Sequence, residues 1–281
     1  MSTTADRPAS SLPAASIPTA SIPTATLAAA SSAASDDARR PSLLRRAALV
    51  AAAVPACALP VVWGGGAAGM LLTGYESDHR FHQLTGQGVL TGVLWLAGLL
   101  PLVVAGWRGR RPSTAAGLQH LAFVAASVVA GLFVPGPGVV ALALIIAVTG
   151  ALVWAALPLR PRLRNAVGAL DPALAPVAAL TAALHVPFVL GQRALQATST
   201  DEHAQMTHYF DMAWVSLVLV ALALVAAVAG SARRLAVWST AGTLVIGLAR
   251  FGFTGELSWS CAAIALGIVG TVVAALRIRA V

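Results

Sequence analysis

Four histidines are the residues of this chain best suited to chemistry, and they come in two pairs. In YESDHRFHQLTGQG, His79 and His82 are three residues apart, and in TSTDEHAQMTHYFDMAW, His203 and His208 are five apart. Carboxylates precede the first histidine of each pair, Glu76 and Asp78 in one and Asp201 and Glu202 in the other, and each stretch runs into an apolar segment within a few residues. Residues i and i+3 share a helix face, so His79 and His82 can reach one ligand, and His208 and Asp211 stand in the same relation. Neutral imidazoles gathered with carboxylates are the donor set of a divalent transition metal, or of the iron of haem. His79, His82, His203 and His208 are therefore candidate ligands, and Asp211 is a candidate to orient the His208 ring or to join the metal itself. Met206 and Met212, beside His208, add soft sulfur donors that copper accepts. The competing reading is a wet loop in which these are ordinary polar residues and Asp201 and Glu202 cap the helix that follows.

Three arginines, Arg80, Arg193 and Arg250, share the face of the histidine pairs, and the local acids are their natural partners. Arg250 follows an apolar stretch and must meet either Glu256 or the acidic group of a bound ligand, such as a propionate. Arg80 and Arg250 accordingly join the histidines as cofactor-binding candidates. His120 and His185 fall inside apolar spans, where a polar side chain is costly, and interhelical hydrogen bonding is the simpler role for both. Trp63, Trp107, Trp238 and Trp259 fall near span ends, as interfacial anchors do.

Membrane helices must position these groups. A mean hydropathy of +0.82, with 58% hydrophobic and 10% charged residues, exceeds what a water-soluble domain can hide. Eight apolar stretches of spanning length, at about 47–73, 88–107, 115–134, 138–157, 172–192, 210–230, 234–252 and 256–276, predict an all-α polytopic integral membrane protein. Pro135-Gly136-Pro137 between the third and fourth predicts a tight hairpin. All 18 basic residues are arginine, and they lie in short tracts flanking apolar runs rather than along a soluble helix. That distribution excludes a nucleic-acid surface and leaves the lipid bilayer as the partner. The tracts at 39–46, 108–111, 160–164, 233–234 and 277–279 alternate consistently onto one side, so the positive-inside rule puts both termini in the cytoplasm of a bacterial plasma membrane and the histidine pairs outside. Residues 1–45, rich in Ala, Ser, Thr and Pro with ASIPT repeated in tandem, read as a disordered tail. Cys57 and Cys261 sit in apolar segments, as small core residues do, with no disulfide or zinc spacing.

The two histidine stretches recur at a fixed interval: His79 to His203 is 203 − 79 = 124 residues, and Arg110 to Arg233 is 233 − 110 = 123. Residues 46–158 and 159–281 thus read as two parallel four-helix repeats, an arrangement that places a site between its halves. The segment ESDHR, Glu76 to Arg80, entering an apolar helix at once, resembles the ExxHR motif of the heme A synthase family. The resemblance implies eight helices in two four-helix halves and a haem held by histidines. The sequence departs from that pattern in having no histidine in its fourth and eighth spans, no arginine after the second cluster and no cysteine pair in its outer loops. Over DEHAQMTHYFDMAW and the arginine-rich loop before the fifth span, the chain is similar to multi-pass proteins of GC-rich Gram-positive bacteria, a likeness that implies no activity.

Three function classes remain. A haem- or metal-binding membrane protein requires the four histidines to converge on a small-molecule or metal ligand at the outer face. A small-solute or proton-coupled transporter requires polar groups and broken helices at the midplane, for which Gly64-Gly65-Gly66 and Pro187 are candidates. A structural subunit of a membrane complex requires only helix faces of small residues.

Overall fold

The computed structural model describes residues 42–75 and 79–280. In chain order, α1 is Leu43–Thr73, α2 Arg80–Leu84, α3 Val89–Trp107, α4 Thr114–Phe133, α5 Val139–Ala156, α6 Leu174–Thr198, α7 Glu202–Gln205, α8 His208–Val228, α9 Arg234–Thr254 and α10 Ser258–Arg279. Among the described residues, with α2 and α3 counted as one span, Arg80–Trp107, all but the short α7 belong to eight spans long and apolar enough to cross a bilayer, and no strand occurs. The chain is an all-α polytopic membrane protein.

Local chemistry sets the boundaries. The Ser113 hydroxyl accepts the Ala116 N–H at 3.2 Å to cap α4, and Gly74 and Gly255, at φ 73° and 69°, supply the left-handed residues that end α1 and α9. Helix α6 continues to Thr198 rather than stopping near 192. The residues beyond Gly191 are good helix formers, and their polar groups find partners: Arg193 Nε donates to the Phe133 carbonyl at 2.9 Å, and Gln196 donates to the Ala204 carbonyl in α7 and accepts the Phe210 N–H in α8. Arg193 thus serves a helix C-terminus and the Phe133 ring rather than an acid. Helix α1 begins at Leu43, so Leu43–Arg45 are helical and not part of the expected tail, while the remainder of that expectation lies outside the described residues.

Each half closes into a ring of four helices in the same order. Helices α1 and α4 both pack on α3 and α5, and α6 and α9 both pack on α8 and α10. The principal contact between the rings is α4 on α8. Helix α8 is central, with 72% of its apolar window buried, against 22% for the lipid-facing α1 and α10. Small residues allow the closest approaches. A Cβ on Gly242 would come 2.5 Å from a Leu219 methyl, and Thr240 and Thr271 share a 2.9 Å hydrogen bond between α9 and α10. Pro135-Gly136-Pro137 turns α4 directly back on α5, with Gly131 set against Ala143.

Helices α1 and α6 run unbroken through Gly64-Gly65-Gly66 and Pro187, so the interruptions required by the transporter reading do not occur there. Cys57, half-buried on α1, packs against the core as expected, whereas Cys261 is exposed on α10 and is not a core residue. Trp63 joins an internal aromatic cluster and Trp259 lies under Arg250, roles different from interfacial anchoring.

At the arginine-rich end, Asp171 gathers the second ring. Its Oδ1 accepts the Ala173 N–H at 3.1 Å at the start of α6, and its carboxylate accepts Arg233 at 2.9 Å and Arg277 at 2.8 Å. Burial pushes this carboxyl up, but the hydrogen bonds from Arg277, Ala173, Arg233 and Leu174 outweigh it and hold it at about 2.

Candidate metal centre

Two short helical turns carry the first histidine of each pair. His79 occupies the N-cap position of α2 and His82 lies one turn on, so the i, i+3 relation puts both on one face. Helix α2 stops after one turn because Thr85 folds back, its N–H bonding the Phe81 and His82 carbonyls and its hydroxyl the Phe81 carbonyl at 2.6 Å. In the second half, Asp201 caps α7 by accepting the Ala204 N–H at 2.9 Å, and His203 lies within that turn. Thr207 then adopts a left-handed conformation, φ 61°, ψ 23°, that starts α8 in a new direction with His208 as its first residue. A β-branched residue rarely accepts that backbone, and this one lets two helical turns of different direction aim His203 and His208 at one point.

The four imidazoles converge. Ring centroids lie 5.2 Å apart for His79 and His203, 4.9 Å for His79 and His208, 5.1 Å for His82 and His203, 4.7 Å for His82 and His208, and 5.4 Å for His203 and His208. One nitrogen from each of His79, His203 and His208 lies within 4.8 Å of the other two. His79, His82 and His208 are buried and His203 is half-buried. Both nitrogens of His208, Nε2 of His79 and Nδ1 of His82 have no hydrogen-bond partner among the described residues. Buried polar atoms are ordinarily satisfied, so unpartnered nitrogens on three rings of one cluster, with one nitrogen each of His79, His203 and His208 within 4.8 Å of the others, mark a place for a shared partner.

A simple construction identifies the size of that partner. A zinc–nitrogen bond of about 2.05 Å plus about 1.1 Å from nitrogen to ring centre puts each ring about 3.2 Å from the ion, and tetrahedral ligands then have ring centres about 5.2 Å apart. Five of the six ring pairs, at 4.7 to 5.4 Å, bracket that value, and the nitrogens that gather within 4.8 Å of one another are those of His79, His203 and His208. Two imidazoles on opposite faces of a haem iron have ring centres about 6.4 Å apart by the same bond lengths, so a porphyrin would require a pair of these rings to move apart by about 1.0 to 1.7 Å. The donor set and spacing fit an ion.

Around the cluster, the structure separates the expected residues. Asp201 is engaged by its cap and by the Tyr209 hydroxyl, which donates to it at 2.7 Å, and the Tyr209 bond and then the Ala204 N–H hold its carboxyl below the usual range. The Tyr209 ring in turn lies 5.9 Å from that of His203, a supporting contact the sequence reading missed. Asp211 is buried, but its Oδ1 and both His208 nitrogens lack hydrogen-bond partners among the described residues, so it does not orient the ring. Met212 accepts the Thr85 hydroxyl at 3.1 Å in the core, and Met206 is exposed. Arg250 pairs with Glu256 at 3.3 Å and covers the Phe188 and Trp259 rings, so of its two expected anions it meets the protein's own. Glu256 also caps α10, and hydrogen bonds from Ser258 and Trp259, with Arg250 adding less, hold it at about 2. Arg80 lies over Gly74, and its expected partners Glu76 and Asp78 fall outside the described residues. His185 bonds the Thr243 hydroxyl at 3.1 Å and His120 reaches the Gly150 carbonyl at 3.4 Å, both linking neighbouring helices.

The chain next to the cluster closes tightly. A Cβ on Gly86 would meet the Asp211 carbonyl at 2.5 Å, so only glycine lets this loop lie on the first turn of α8. Further along α8, Trp214 packs against Trp63, Trp95, Phe123 and Phe210, with centroids 5.9 to 6.5 Å away, and donates to Ser127 at 2.8 Å. This aromatic plug fills the junction of α1, α3, α4 and α8. The chain matches no known family model, no curated protein and no solved structure, so function rests on this geometry.

Proposed function

We propose that this multi-pass membrane protein binds one divalent transition-metal ion, zinc or copper, through His79, His203 and His208, with His82 completing the donor set. The observation that carries the proposal is the agreement between the ring separations and a tetrahedral imidazole site, together with the unpartnered nitrogens inside the cluster. Each half of the bundle supplies two rings, so an ion here cross-links the loop after α1 to the loop after α6. The aromatic plug next to the site and the unbroken α1 and α6 favour retention of the ion over conduction across the membrane. Imidazole binds metal only when neutral, and protons therefore compete for the same nitrogens.

Equilibrium dialysis of the full chain in mild detergent against Zn²⁺, Cu²⁺ or Co²⁺ tests the reading. The expected result is one ion per chain, with the intense visible absorption of tetrahedral cobalt in the Co²⁺ sample. A Soret band in the protein as isolated would select haem instead, and retention of metal after all four histidines are changed to alanine would remove the site.

A further inference from the structure

We propose a second binding site, at the opposite end of the bundle, for an anionic phospholipid held between α1, α4 and α5. Two pockets adjoin there. One, of about 430 Å³, is lined by Arg45, Ala48, Leu157, Pro158 and Arg160, and the other, of about 270 Å³, by His120, Leu121, Val124, Ala147, Trp154 and again Arg160. Arg160 and Ala155 line both, so the two meet at Arg160, with the arginines at the mouth and the mainly apolar lining of the second pocket beneath.

Charge and length identify the occupant. The ion pairs among the described residues are Arg233 and Arg277 with Asp171 and Arg250 with Glu256; none uses Arg45 or Arg160. Arg45 spends one N–H on the Pro158 carbonyl at 3.4 Å, which leaves both guanidinium groups with donors to spare at the groove's mouth. Along α5 the lining of the second pocket, which includes Ala151, runs from Ala155 back to Ala147, and eight residues of helix rise about 12 Å. Half of a bilayer's hydrocarbon thickness is about 15 Å. An apolar groove close to one leaflet deep, opening beside two arginines with no ion pair among the described residues, matches a phosphate headgroup with an acyl chain beneath it. Basic pockets between membrane helices recognise such lipids through the same pairing. Inorganic phosphate shares the headgroup chemistry but has nothing to fill the floor.

Native mass spectrometry and thermal unfolding of the full chain, purified in mild detergent and supplied with phosphatidylglycerol or phosphatidylcholine, test the site. The chain is expected to retain phosphatidylglycerol in preference and to unfold at a higher temperature with it. With each arginine near an anionic headgroup worth about fivefold, Arg45→Gln with Arg160→Gln should weaken retention about thirtyfold. Arg162→Gln with Arg164→Gln, on the same loop but outside the groove, should leave it unchanged. Ala151→Phe, which fills the floor and keeps both arginines, should also reduce retention. Equal losses in the two arginine pairs, equal retention of phosphatidylcholine, or protection by inorganic phosphate matching that by the lipid would each overturn the proposal.

Discussion

Removing one imidazole from the cluster should nearly abolish stabilisation by metal. A zinc site of this kind supplies roughly 10–16 kcal/mol of apparent binding free energy, or about 3 kcal/mol per ligand when four share it, so His208→Ala should weaken affinity about a hundredfold. At a free metal concentration a hundred times the unmodified chain's Kd, bound ion stabilises the fold by about 2.7 kcal/mol. With Kd raised a hundredfold at that same concentration, the benefit falls to about 0.4 kcal/mol. The assay is thermal unfolding in detergent with free Zn²⁺ fixed by a chelator buffer. His79→Ala should behave as His208→Ala does, because the two rings lie 4.9 Å apart and approach one ion. The double variant should lose little more, since ligands acting as a unit are not additive. His185→Ala provides the control: His185 bonds Thr243 on α9, so it should change the metal-free melting temperature while leaving the zinc-induced shift intact. A full zinc shift in either single cluster variant, or an equal loss of shift in the His185 control, would refute the reasoning.

Other consequences follow from particular contacts. Asp171 has a folded value depressed to about 2, so its stabilisation is complete above its ordinary value of 3.8 and is lost as pH falls through about 2. Asp171→Asn should therefore destabilise the protein at neutral pH, by about 1–3 kcal/mol because the partner arginines are partly exposed, and acid unfolding curves of the two proteins should converge below pH 2. Gly86→Ala should push the loop off the first turn of α8, costing about 1–3 kcal/mol, and cobalt absorption should show a weakened or distorted site as His82 separates from His208. In a background lacking Cys57 and Cys261, Asp201→Cys and Arg162→Cys should react with a membrane-impermeant thiol reagent from opposite sides, with Arg162 on the cytoplasmic side. Labelling of both from one side would overturn the topology.

The sequence alone determines that this chain lives in a bilayer and how often it crosses. Hydrophobic length and composition act locally, and each span is specified by its own residues without reference to its neighbours. Proline and glycine signals act locally too, which is why the Pro135-Gly136-Pro137 turn is legible from three residues. The histidine pairs could be singled out because polar residues stand out against apolar spans, and i, i+3 spacing already sets His79 beside His82. What the sequence does not contain is a distance between residues 79 and 208. That is decided by the packing of α4 on α8, by Gly86 lying against Asp211, and by the left-handed turn at Thr207, where threonine gives no advance signal of φ 61°. The fate of each charge is likewise tertiary. Arg250 could meet a ligand or a protein carboxylate, and the turn between α9 and α10 brings Glu256 to 3.3 Å. Asp211 has the right spacing to serve His208, yet burial of α8 on several sides leaves the two side chains without a mutual hydrogen bond. Residue type and spacing specify which groups are able to share a partner, whereas helix packing fixes which of them meet.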